Sequence, residues 1–600
     1  MSDIIKEIAD LPPEPRELIE GLLEKIERKE AFQLSEVAGR IVQLPPEQRE
    51  LVKSVLRRAM SAANGGGGRP SPPRLVALPR GEGVNVFPVS FAQQRLWLLD
   101  QIAPGDPAYN QPYAVLLKAD MDAATLEQAI AEVVRRHESL RTTFSTVDGQ
   151  PVQVVSPSQT FKLTQRDLRG LSPQERRAEA LRLAAEDGRR PFDLKRGPLM
   201  RGMLLRVGEQ EQLLVLTMHH IVFDGLSLIA MMREIGQLYV ACKLGLPSPL
   251  PELPIQYADF AVWQREWLGG ETLETHLAYW REQLGGELPV LKLPSFKPRP
   301  ELPTSAGATY PVRFSPELTK ALRELSWRTD VSLVMTLLAA FDVLLYRYTG
   351  QEDVVVGSPI AGHTRGELEG LIGFFVNTLV LRTDLSGEPT FRELLKRVRE
   401  VCLGAYAHQE VPFERLVEEL HPERNEGRTP LFQVLLGLFN PQRQLLQAPG
   451  LSAEVIDVNI GTSKFDLSLY LYDEPEEVSG FIEYSTDLFD EATVKRLAEH
   501  FDVLLRAVVA DPDRPISEVP LMTEAERRRE LEEWNRTARE YPKDRCVHQL
   551  FEEQARRTPD APAVAFEGRE LTYGELNRRA NQLAHHLLAA GAGPGALVGL

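Results

Sequence analysis

The run LLVLTM at 213–218, followed without a break by HHIVFDG at 219–225, decides how this chain is read. An apolar run that ends in His-His and then Asp-Gly predicts a buried strand opening into a turn. Such a turn places an imidazole at the mouth of a hydrophobic core, where it can take or steer a proton near neutral pH. A single buried histidine is usually structural. Two adjacent imidazoles, a carboxylate and a turn glycine within seven residues point instead to a site.

Outward from the heptapeptide, composition narrows the class. The 600 residues are 43% hydrophobic, enough for several cores. No run of about 20 apolar residues offers a membrane span. The start, MSDIIKEIADLPPEPRE, lacks the basic and apolar regions of a secretory signal. The three cysteines, Cys242, Cys402 and Cys546, are far apart and in no metal-ligand spacing. They argue for a reducing cytoplasm and against a disulfide framework or a metal site. A formal charge of -17 speaks against nucleic acid as a partner, because phosphate binding needs a basic face.

Along the chain, LPPEPREL at 11–18 recurs as LPPEQREL at 44–51. Pro-Pro-Glu suits a helix start, and Ile19, Leu22, Leu23 and Ile26 then share one face, as do Leu51, Val52, Val55 and Leu56. Residues 1–60 therefore read as a small helical segment, either a cap on the next domain or a docking segment for an upstream protein. A Gly- and Pro-rich linker at 61–86 follows, containing NGGGGRPSPPR. From 87 to 510 helical stretches (123–136, 316–327) alternate with strand-like runs (212–218, 353–357, 376–382). This is an α/β pattern too long for one core, which predicts two lobes, 87–265 and 266–510. The segment 292–313, with five prolines, is a candidate crossing between them. After a linker at 511–545, residues 546–600 read as helix, strand, strand, helix, turn and the start of a strand, the opening of a further domain.

HHIVFDG resembles the HHxxxDG signature of condensation domains and related thioester acyltransferases. Six further stretches carry the resemblance to the condensation domains of nonribosomal peptide synthetases. In order they are SFAQQRLWLLDQ at 90–101, RRHESLRTTF at 135–144, YADFAVWQ at 257–264, IGFFVNTLVLR at 372–382, HQEVPFERLVEEL at 408–420 and RTPLFQVLLGLFN at 428–440. LTYGEL at 571–576 is similar to the first adenylation motif, and ERRRELEEWN at 526–535 to the linker before it. The resemblance implies a V-shaped pair of lobes related to chloramphenicol acetyltransferase, with a tunnel between them, followed by the beginning of an α/β adenylation domain. It implies amide formation: the α-amine of a carrier-bound acceptor attacks a carrier-bound donor thioester, and the donor thiol leaves.

The same resemblance assigns roles. His220 matches the catalytic histidine, acting as a general base or as a group that orients the amine. Alignment of an activated thioester is worth up to about 7–11 kcal/mol, and a general base about 10²–10⁴-fold. His219, pointing the other way on strand geometry, is expected to pack or to bond the backbone. Asp224 matches a structural carboxylate paired with an arginine, either Arg136 or Arg365. Gly225 either admits the phosphopantetheine arm or is a turn glycine. Phe223 stands where Ser is common and either narrows a substrate channel or packs; Asn377 is a second candidate tunnel residue. His363 stands where Arg is frequent, which leaves Arg365 as the guanidinium of its loop. Ser90, Gln93, Arg95 and Trp97 build the first lobe, and Tyr573 and Glu575 read as structural. Lys464, Phe465 and Asp466 match a segment with core or interface roles.

The resemblance further implies carrier proteins upstream and downstream as partners, with phosphopantetheine on those carriers as the only cofactor and ATP with Mg²⁺ belonging to a complete adenylation domain. No metal is expected. No phosphate loop precedes Leu600, so this piece is not expected to activate an amino acid, and LGGET at 268–272 lacks a carrier serine. Epimerization and heterocyclization readings fit less well: the unit precedes an adenylation start, and His219 stands where the latter has Asp. An elongating domain joining L-residues is the reading preferred over a starter domain that takes a fatty or aryl acyl group. A non-catalytic interaction module is the alternative of another class. A start at Met1 implies a donor held on another polypeptide or an acyl group loaded directly.

Overall fold

A computed structural model describes residues 73–295, 297–301, 304–363, 365–421, 429–440, 444–448 and 451–599. The repeat at 1–60 and residues 61–72 of the linker at 61–86 lie outside the described residues. The chain divides into two compact units, the larger ending at Leu521 and the smaller comprising Met522–Leu600.

Strands of the larger unit are β1 (Asn85–Pro88), β2 (Asn110–Leu117), β3 (Thr142–Val147), β4 (Gln150–Val155), β5 (Leu163–Asp167), β6 (Met200–Arg206), β7 (Gln212–His219), β8 (Gly307–Arg313), β9 (Asp353–Ile360), β10 (Asn377–Asp384), β11 (Val434–Phe439), β12 (Gln444–Ala448), β13 (Leu451–Ile456), β14 (Leu467–Asp473) and β15 (Val478–Ser485). They form a first six-stranded sheet in the order β12-β13-β2-β7-β6-β5, a second in the order β10-β9-β11-β14-β15-β8, and a small sheet β1-β4-β3. Helices α1 (Phe91–Ile102), α2 (Ala123–Arg136), α3 (Pro173–Arg189), α4 (Gly225–Lys243) and α5 (Tyr257–Trp267) accompany the first sheet in sequence. Helices α6 (Gly270–Gln283), α7 (Pro316–Arg328), α8 (Leu333–Thr349), α9 (Phe391–Ala407), α10 (Phe413–Leu420) and α11 (Glu491–Ala510) accompany the second.

The decisive strand is β7, and every one of its residues is buried. It lies between β2 and β6, antiparallel to both. Side-chain alternation then sorts its residues between two layers. Leu214, Leu216 and Met218 join the larger core of the first lobe, while Leu213 and Val215 meet Ala180 and Ala184 of α3. Both faces are covered, so the strand is continuously apolar rather than alternating. The predicted helix at 123–136 forms with those bounds. Asp122 caps it through Thr125, and Leu126, Ala129, Ile130, Val133 and Val134 make the buried stripe.

The second half of the chain returns to the first lobe twice. Strand β13 pairs with β2 along Ala453–Ile456, so β12 and β13 complete the first sheet. Leu368, Leu371, Ile372, Phe374 and Phe375 are buried in the core of the first lobe. A single cut at 265 therefore does not separate the two lobes. The proline-rich stretch at 292–313 does not make this exchange; its end is β8, at the edge of the second sheet, where Pro311 is tolerated.

In the smaller unit, α12 (Val547–Arg557) is followed by the hairpin β16 (Pro562–Phe566) and β17 (Arg569–Thr572) and by α13 (Tyr573–Ala589). The strand expected after that helix is absent among the described residues. Tyr573 stacks obliquely on Phe551, with ring centroids 5.8 Å apart, and Glu575 bonds Arg579.

Candidate active site at the histidine turn

β7 ends at His219, and His220–Val222 form one 3₁₀ turn before the chain enters α4 at Gly225. The two imidazoles diverge there. His219 meets the edge of Phe192, 6.1 Å between centroids, and His220 packs on Phe374 at 4.5 Å.

Hydrogen bonding gives the two rings opposite tautomers. His220 Nδ1 lies 2.7 Å from the Phe223 carbonyl, which can only accept, so Nδ1 carries the proton and Nε2 the lone pair. His219 Nδ1 instead accepts from the Ile221 N–H at 3.2 Å, which places its proton on Nε2. Burial pushes the pKa of each histidine down to about 3, and the Lys464 ammonium pushes further in the same direction; for His220 the Phe223 bond opposes the shift. Both rings are neutral at physiological pH.

Asp224 caps α4. Its Oδ1 accepts from the N–H and the hydroxyl of Ser227 at 3.0 and 2.8 Å, and its Oδ2 accepts from the N–H of Phe375 at 2.9 Å. The expected arginine pairing does not occur with either candidate. Arg136 forms a buried fork with Glu234 at 3.1 and 3.2 Å and donates to the Pro251 carbonyl. Arg365 pairs with Glu367 at 3.3 Å and lies over the Trp263 ring. Backbone and hydroxyl donors satisfy the Asp224 carboxylate because it sits at a helix N-terminus facing a neighbouring segment, so no guanidinium is required.

That segment, Ile372–Phe375, is laced to the first lobe. The Ile372 N–H donates to His137 Nδ1, and its carbonyl accepts from the Ser139 hydroxyl at 2.7 Å. Ser227 Oγ accepts from the Gly373 N–H at 3.1 Å and lies 3.0 Å from the Gly373 carbonyl. The Tyr257 hydroxyl donates to the Phe374 carbonyl at 2.6 Å and meets Ser90 Oγ at 2.9 Å. Gly373 allows the approach: a Cβ there would stand 2.0 Å from Tyr257 Cδ2. His137 in turn bonds Glu234, and although burial pushes the Glu234 carboxyl up, His137 and Arg136 hold it below the usual carboxylate range.

The remaining candidates fall into two groups. Phe223 is wholly buried in the core of the first lobe, 5.6 Å from Tyr113, so it packs and does not line a channel. The Asn377 amide donates to the carbonyls of Gln409 and Val411 and accepts from the N–H groups of Thr378 and Phe413. That bonding makes it a staple for the start of α10, although it also borders a pocket with Ser90, Trp263, Trp267, Phe374 and Phe375. Gly225 is exposed, and a Cβ there would meet nothing within 4 Å. His363 rests on Phe375 at 4.3 Å, and its Nδ1 is buried without a hydrogen-bond partner.

Sequence reasoning missed Ser227, Glu234, Tyr257 and Phe374. Three signals were present: Ser227 stands at the third helical position after a capping Asp, Tyr257 opens YADFAVWQ, and Phe374 lies in IGFFVNTLVLR. Among the described residues, no group of acidic, histidine or cysteine side chains forms a metal centre, and no single helix is long and apolar enough to cross a membrane.

Comparison with known proteins gives consistent matches. Residues 84–531 match the condensation-domain model and residues 551–600 the model of AMP-binding enzymes. A linear gramicidin synthase of Brevibacillus parabrevis is 50% identical over 516 residues, 86% of this chain and 10% of that protein. The chain thus spans about a tenth of that relative. A four-domain nonribosomal peptide synthetase bound to AMP and glycine superposes with a TM-score of 0.75 at 22% identity, over 86% of this chain and 40% of that one. The X-domain in its complex with OxyB from teicoplanin biosynthesis gives 0.68 at 29% identity, over 76% of this chain and all of that one (100%).

Proposed function

Because the chain belongs to the condensation-domain family of nonribosomal peptide synthetases, whose members form peptide bonds, we propose that its larger unit joins a carrier-bound donor acyl or peptidyl thioester to the α-amine of a carrier-bound acceptor. The donor is an L-residue in the elongating type. Residues 87–265 and 266–510 supply the two halves of that unit, and 546–600 begin an adenylation domain. The partners are an upstream and a downstream carrier, each bearing phosphopantetheine, with residues 1–60 as the docking segment for the former. Gly225, exposed with open space beside it, supports the passage of such an arm. Three unpaired cysteines support a cytoplasmic setting.

One observation carries the reading: His220 is locked neutral with its proton on Nδ1, so Nε2 is a fixed acceptor. A general base works best with a pKa near the operating pH. At about 3 this imidazole accepts a hydrogen bond from the amine without holding its proton, and its contribution is orientation. Asp224 and Ser227 fix the loop, and Phe374 fixes the ring. The amine nitrogen bonds the thioester carbon, the C–S bond breaks, and the proton leaves with the thiolate.

The test uses purified carriers loaded with aminoacyl, fatty and aryl groups, with the amide product read by mass spectrometry. An aminoacyl-selective wild type that loses about 10²-fold in rate as His220→Ala, through misplacement of the amine, is the expected result. Undiminished condensation by that variant would overturn the role of His220, and no product with any donor would favour an interaction module. Deleting residues 1–60 is expected to weaken transfer from the carrier but not from a soluble thioester mimic.

A further inference from the structure

Lys464 is a cation that the histidine turn and its latch leave unused. It stands in SKFDLSL, just before β14, on the side of the second lobe that faces β2. Its ammonium lies over the ring of Tyr109, 5.4 Å from the centroid. Tyr109 precedes Asn110, the residue of β2 that pairs with His219. The charge is therefore held at the level of the histidine turn. The nearby carboxylate, Glu483 on β15, accepts at Oε1 from the backbone N–H of Lys464 at 3.4 Å and favours the ammonium through space rather than by an ion pair. Among the described residues no carboxylate sits within ion-pair distance of Nζ, and the side chain is only half-buried.

A half-buried ammonium with no carboxylate partner can form a charge-assisted hydrogen bond with an oxygen that a ligand brings. The ring against which the Lys464 ammonium rests is that of Tyr109. Burial pushes the lysine pKa down while Glu483 supports the charged form, and both histidines feel the ammonium as a repelling charge.

We propose that Lys464 is a second catalytic residue, whose ammonium binds the oxygen of the donor carbonyl as it becomes an oxyanion. The assignment rests on the condensation reaction proposed above. As the amine lone pair forms the C–N bond, the carbonyl π pair moves onto oxygen, where Lys464 stabilises it. That pair then returns to carbon and expels the thiolate, which takes the proton lost by the amine. His220 aligns the nucleophile, and Lys464 stabilises the electrophile's charge.

The experiment compares wild type, Lys464→Met, Lys464→Gln and Lys464→Arg with two carrier-bound donors, one neutral and one bearing a carboxylate side chain. Wild type must first give amide with the neutral donor; if it does not, the reaction proposed above fails rather than this assignment. The expected result is a fall of about 10²–10³-fold in kcat for Met and Gln with either donor, at nearly unchanged KM. Arg should recover at least about tenfold of the loss, the retained charge being what matters. Circular dichroism shows which of the two neutral variants is folded, and the folded one is read. Wild-type kcat in that variant, a change confined to KM, or a loss seen only with the carboxylate donor would each overturn the proposal, the last by making Lys464 a reader of donor side chains.

Discussion

His219 and His220 are neighbours in sequence with separate chemistry. One accepts at Nδ1 from the turn it belongs to, and the other donates at Nδ1 to the same turn, so a single 3₁₀ loop fixes both tautomers. Burial makes both rings hard to protonate. A histidine whose folded pKa falls from 6.5 to about 3 stabilises the fold fully above pH 6.5. As pH drops below that value the unfolded chain takes up protons first, and the contribution is lost progressively down to about pH 3. His219→Gln keeps an acceptor for the Ile221 N–H but does not titrate. The urea midpoint of this variant is expected to fall less than that of wild type between pH 7 and pH 4.5. Equal slopes would show that His219 is not held neutral by the fold.

At the scale of elements, the junction of α4 with the Ile372–Phe375 segment organises the site, because it joins the histidine turn to the second half of the chain. Gly373 tests it. A methyl group at that position collides with Tyr257, whereas one at Gly370, three residues away, meets nothing within 4 Å. Gly373→Ala is expected to cost about 1–3 kcal/mol by overpacking and to slow condensation, since Phe374 carries the contact to His220. Gly370→Ala should leave both urea stability and rate near wild type; similar losses in the two variants would mean that the latch is not what matters. This junction also shows where sequence stops being informative. The burial of β7 was legible, because alternation and apolar runs are local properties. So was α2, with its cap and stripe. The partner of Asp224 was not, for a physical reason: its distant donor is the backbone N–H of Phe375, 151 residues away, and a backbone group leaves no mark on residue type. The guanidinium partners were sought because side-chain charge is what sequence displays. Arg136 found Glu234 instead, an acidic residue on the largely apolar α4.

For the larger unit taken whole, the two lobes are not independent folding units. The first sheet runs through β13, which pairs with β2 along Ala114–Leu117, and the core of the first lobe contains side chains from Leu368 to Phe375. A fragment comprising 73–265 would lack both. Its β2 would present an unpaired edge, with backbone donors and acceptors open to another chain. The apolar surface that Phe374 and Phe375 cover would also face water. Such a fragment is expected to aggregate when expressed alone, while co-expression with 266–521 should return a complex that forms amide. Size-exclusion chromatography followed by the carrier assay reads both outcomes. A monomeric 73–265 with sharp amide dispersion would mean that β2 tolerates a free edge and that the exchanged segments are ornaments on a finished lobe. If they are not, the strand exchange is what keeps the histidine turn and the latch in one cooperative unit, and a two-lobed enzyme of this design cannot be assembled one lobe at a time.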